Sequence, residues 1–129
     1  MSRGFTLVEM LIALLILAVA IAGVLFAGVT SRSMTAARHE RVVALQDAGR
    51  VIELMRDASA SGNFPANVLA AYPDGGAVAG FNNLSGEQLV VTYLDTAADP
   101  LDVTVTANWL EQGSRAVTAR LETLMTQRE

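Results

Sequence analysis

The spacing of apolar and polar positions changes rhythm along the chain. From Phe5 to Val29 the only hydrogen-bonding side chains are Thr6 and Glu9, and proline is absent. At about 1.5 Å per helical residue, such a run is long enough to cross a ~30 Å hydrocarbon layer. From Thr30 to about Ala60 the apolar residues recur at helical spacing instead. Met34, Leu45, Ala48, Ile52, Met55 and Ser59 fall along one stripe with Val42 and Val51 beside it, and Arg38, Arg41, Asp47, Arg50, Glu53 and Asp57 take much of the rest. The two stretches together predict one helix from Phe5 to about Ser59, on the order of 80 Å long. Neither carries a proline, so any softening of the spanning half rests on Gly23 and Gly28.

Ser61-Gly62-Asn63-Phe64-Pro65 predicts the end of that helix, because glycine suits a left-handed cap and proline cannot continue the spiral. Residues 66–86 read as a long connection with a short helix over Ala66–Ala71 and a turn at Tyr72-Pro73-Asp74-Gly75-Gly76. Strict alternation then predicts three strands. Glu87–Leu94 sets Leu89, Val91 and Tyr93 on one face. Leu101–Leu110 sets Val103, Val105, Ala107 and Trp109 against Asp102, Thr104, Thr106 and Asn108. Arg115–Leu124 sets Val117, Ala119 and Leu121 against Thr118, Arg120 and Glu122. Residues Asp95–Pro100 link the first two, and Glu111-Gln112-Gly113-Ser114 makes a hairpin. The expected fold is α+β: one long amino-terminal α-helix whose second half packs on a small antiparallel β-meander of about three strands.

Composition narrows the chemistry. Subtracting the apolar run from 129 residues leaves one modest domain. With no cysteine, that domain has no disulfide, thiol chemistry or cysteine-built zinc site. From Thr30 to Ala58 five arginines meet four acids, whereas from Ser59 onward three arginines face eight acids. An acidic head of this kind lacks the basic stripe of a nucleic-acid surface, and no nucleic-acid partner is expected. The sole histidine, His39, sits between Arg38 and Glu40 and reads as a surface residue. Asp95, Asp99 and Asp102 could offer oxygen ligands, but their spacing lacks the glycine and terminal glutamate of a calcium loop. No serine or threonine nucleophile paired with a histidine base is read from the sequence. Neither catalysis nor a cofactor nor a metal is expected.

Glu9 is the anomaly of the apolar run. A carboxylate near the centre of a membrane helix costs about 2.5–3.5 kcal/mol, and less toward an end, so its presence calls for a cation. Arg3-Gly4-Phe5-Thr6-Leu7-Val8-Glu9, followed at once by an apolar run of spanning length, resembles the processing site of type IV pilins and of the pseudopilins of type II secretion. The resemblance is dense from Gly4 to about Ala20. It implies a leader of residues 1–4, cleavage after Gly4 by a prepilin peptidase/N-methyltransferase, and N-methylation of the new terminal residue Phe5. It also implies that Glu9, with Thr6 beside it, is the assembly site, its carboxylate meeting the terminal amine of a neighbouring pilin or pseudopilin subunit. Val103-x-Val105, Trp109 and Ser114-Arg115-x-Val117-x-x-x-Leu121-x-Thr123-Leu124 look like the ending of minor pilins and minor pseudopilins of the V and I types. The cystine that closes the carboxy-terminal loop in many members has no counterpart here.

These readings place residues 5–29 in the inner membrane or a filament core and residues 30–129 in an exported head, made of an amphipathic helix over 30–60, a loop over 61–86 and the meander over 87–124. Arg3 keeps the amino terminus in the cytoplasm, and Arg32 marks the aqueous boundary. The expected function is that of a structural minor subunit of a type IV pilus, competence pilus or type II secretion pseudopilus. The alternative is a monomeric, signal-anchored periplasmic binding module that never polymerises. An ordinary signal peptide, cut near Ala18-Val19-Ala20 or Ala27-Gly28-Val29, fits the run less well, because a glutamate so early weakens a generic signal.

Overall fold

A computed structural model describes residues 6–127. These fall into two compact units, one up to Ala36 and one from Ala37 onward. The first helix, α1, runs from Leu7 to Ser59 and contributes to both. Helical structure continues without a break through Gly23 and Gly28, where an added Cβ would meet nothing.

In the first unit every described residue is exposed. In the second, one side of α1 is buried: Ala44, Ala48, Val51, Ile52 and Met55 join the core, with Asp47 and Ser59 buried among them. The packed face keeps Ala48, Val51, Ile52, Met55 and Ser59 of the predicted stripe and departs from it at the edges. Met34 and Val42 are more than half exposed and Leu45 is also exposed, whereas Asp47, expected on the solvent side, is only 4% exposed. Small side chains at Ala44 and Ala48 decide the matter, since they let the sheet come close where Val42 and Leu45 would hold it off.

The helix ends as expected. Gly62 and Asn63 both take positive φ, and the Ser61 hydroxyl donates to the Ala58 carbonyl at 2.8 Å. The second helix, α2, covers Ala66–Ala71 and buries Val68. Asn67 fastens it to the first: its Nδ2 donates to the Ala58 carbonyl at 2.7 Å. Pro73–Gly76 then forms a turn closed by the Gly76 amide donating to the Pro73 carbonyl at 2.9 Å, with Gly75 at positive φ.

The sheet has four strands, not three: β1 (Gly76–Val78), β2 (Gln88–Tyr93), β3 (Leu101–Glu111) and β4 (Arg115–Met125), antiparallel and in sequence order. β1 lies in what reads as loop. Its Gly-Ala-Val carries little strand preference, and it exists through backbone pairing with β2, Gly76 opposite Val91 and Val78 opposite Leu89. β3 alternates buried and half-exposed positions from Leu101 to Trp109, as a strand with one face on α1 and one in water must. The β3–β4 hairpin pairs Glu111 with Arg115, and Gln112 and Gly113 both take the positive φ that a tight right-twisted turn demands. Tyr93 closes the core beside the Pro73 turn, its hydroxyl donating to the Tyr72 carbonyl at 2.7 Å. Burial, then the nearby Asp74 carboxylate, pushes its pKa up to about 12.

Candidate functional site

Gly4 and Phe5, the expected processing residues, lie outside the described residues, as does Arg3 before them. The structure begins at their neighbour Thr6, which caps α1. The Glu9 amide donates to the Thr6 hydroxyl at 3.3 Å and to its carbonyl at 3.0 Å, and the Met10 amide donates to the same carbonyl at 3.2 Å. A helix start leaves N–H groups without partners, and a threonine oxygen facing back satisfies one of them. Thr6-Leu7-Val8-Glu9 has the T-x-x-E spacing of a capping box, and that spacing is the sequence signal for this turn. Thr6 thus has a task inside its own chain before any neighbour is involved.

Glu9 is brought to Thr6 by this turn and is exposed in the first turn of α1. The partial positive charge of a helix start favours a carboxylate there. From Met10 to Val29 the helix is apolar on all sides, and Val24 and Phe26 are each more than 70% exposed. A helix apolar all round needs an apolar environment. α1 is long and apolar enough to cross a membrane. Where the run ends, the first polar side chains bond to their own helix. Thr30 Oγ1 donates to the Phe26 carbonyl at 3.2 Å, Ser33 Oγ to that of Thr30 at 2.8 Å, and Thr35 Oγ1 to that of Ser31 at 3.0 Å.

The second unit holds the remaining residues singled out in the sequence. His39 is exposed on α1. Asp95 closes its own loop, accepting from the Ala97 amide at 2.9 Å, and among the described residues no group of three or more His, Cys, Asp or Glu could hold a metal ion. What the residue pattern does not reveal is Glu40. Its carboxylate accepts from Trp109 Nε1 at 3.3 Å and from the Gln112 amide at 3.2 Å, tying α1 to the end of β3 and the hairpin turn. No local pattern announces a bond between residues 69 positions apart.

A family model described as the prokaryotic N-terminal methylation motif matches residues 1–25. No curated protein matches the chain, and no solved structure does. The matched segment holds both the capped turn that carries Glu9 and most of the exposed apolar run, and the match supports a type IV pilin-like precursor.

Proposed function

We propose that the protein is a structural minor subunit, a minor pilin or pseudopilin, of a type IV pilus, competence pilus or type II secretion pseudopilus. A prepilin peptidase/N-methyltransferase cleaves after Gly4 and methylates Phe5. The subunit waits as a single-pass protein of the inner membrane with its head in the periplasm, and then enters the filament through its helix. It does no catalysis of its own.

The observation that carries this reading is the exposed apolar face of α1 with Glu9 in its first turn. Methylated Phe5 keeps a basic amine, so a neighbour's terminus supplies the cation that Glu9 requires. In low dielectric the attraction is far stronger than in water, and an unpaired charge there is costly, so joining a bundle of such helices is favourable. Gly23 and Gly28, open on all sides within this chain, leave room for a second helix to approach where lipid gives no hydrophobic drive.

The test is Glu9→Ala in cells that carry the assembly machinery. Membrane insertion and cleavage after Gly4 persist, and incorporation into filaments is lost. Normal incorporation of the variant, or a mature chain beginning elsewhere than at methyl-phenylalanine 5 by mass spectrometry, overturns the proposal in favour of a monomeric anchored module.

A further inference from the structure

Between β1 and β2 the chain makes a strap, residues 79–87, over one end of the core. Phe81 and Leu84 are its half-buried apolar contacts. Asn83 fixes it to α1, Nδ2 donating to Asp47 Oδ2 at 2.8 Å, and the Leu110 amide of β3 donates to the Ser85 carbonyl at 2.8 Å. The strap ends at Glu87, whose two oxygens differ. Oε2 accepts from the Leu84 amide at 3.1 Å, whereas Oε1 is buried and makes no hydrogen bond among the described residues.

A buried carboxylate oxygen without a donor is expensive in the ionised form. The charged group that faces it is another acid, Asp47 of α1, itself buried. From its own strap come only the backbone amides of Leu84 and Asn83. A protonated Glu87 resolves the arrangement, because an O–H on the orphaned oxygen can donate toward the Asp47 carboxylate.

We propose that Asp47 and Glu87 form a proton-operated latch: with Glu87 protonated the strap is bonded to α1 at both Asn83 and Glu87, and with Glu87 ionised two carboxylates oppose each other and the strap loosens. Burial is the largest influence holding the Glu87 pKa above the ordinary glutamate value. The Asp47 charge acts in the same direction, while the Leu84 and Asn83 amides pull it down. The native state therefore holds the proton more tightly than the unfolded chain. The stabilising contribution is fully present below the ordinary glutamate range and is lost as pH rises through the raised value.

The experiment uses the full chain in detergent micelles. Amide hydrogen exchange at Leu84 and Leu110 is followed from pH 4 to 8 on the order of one-unit steps, with intrinsic rates divided out. Protection of Leu110 falls several-fold as pH rises through the Glu87 titration, whereas Leu84, whose amide donates to Glu87 itself, keeps its protection, as do the paired amides of β3 and β4 away from the strap. Glu87→Gln, which keeps an acceptor for Leu84 and gains a donor toward Asp47, stays protected throughout. A carboxyl-carbon titration of the unaltered chain gives a second readout: Glu87 titrates above the ordinary glutamate range, and Asp47→Asn brings it down. A pH profile unchanged by Glu87→Gln, or a Glu87 midpoint at or below the ordinary value, overturns the latch.

Discussion

One helix, α1, serves two regions under opposite conditions. Up to Ala36 every described residue is exposed, whichever side of the helix it lies on. From Ala44 to Met55 a narrow stripe is sealed beneath the sheet. Both stretches are rich in Leu, Ile, Val and Ala. What differs is the number and the arrangement of polar residues. The second stretch places Arg41, Arg50 and Glu53 around its stripe and needs only one partner surface, which its own strands supply. The first has almost no polar side chains and needs a surrounding medium. A run without periodicity asks for an environment, and a periodic one asks for a neighbour.

Substitutions that move one region and spare the other sharpen this contrast. The largest effect is expected at Trp109, which is 2% exposed and donates to Glu40. Trp109→Ala should destabilise the head by about 3–5 kcal/mol through the void and the lost bond, read as a lowered thermal unfolding midpoint of the full chain in micelles. Membrane association should not change. Next comes Leu17→Arg, in the middle of the exposed run. It should oppose insertion by about 2.5–3.5 kcal/mol, read as extraction from membranes by alkaline carbonate, while the unfolding midpoint of the head stays as in the unaltered chain. A lowered midpoint would show that the run supports the head, and the contrast would fail. The smallest is Thr6→Ala, which removes the cap and should weaken the first turn by about 0.5–2 kcal/mol, seen as faster amide exchange at Glu9 and Met10, with Thr6→Ser restoring most of it.

Much of this architecture is legible before folding is considered. The end of α1 follows from Gly62 and Asn63, which tolerate the positive φ they adopt, and β3 follows from a Val-x-Val-x-Ala-x-Trp alternation that has no helical reading. The parts that are not legible depend on tertiary choice. A helical wheel cannot know which sector meets a partner, so Asp47 reads as solvated, although Asn83 awaits it from across the fold. β1 is invisible because its pairing uses backbone groups that every residue owns. At the amino terminus the reverse holds. Thr6 and Glu9 stand out at once, yet their spacing encodes a cap inside the chain as well as any contact outside it.

The bonds from Glu40 to Trp109 and Gln112 also bear on the order in which the molecule takes shape. Residues 69 and 72 positions apart must both have left the ribosome before that carboxylate finds its donors. Until then the sealed stripe of α1 stands uncovered, resembling the apolar run that precedes it. Contacts so distant along the chain form late and slowly. The nascent chain therefore passes through an interval in which both the apolar run and the stripe behind it are uncovered, and that interval ends for the stripe only when the last strands arrive.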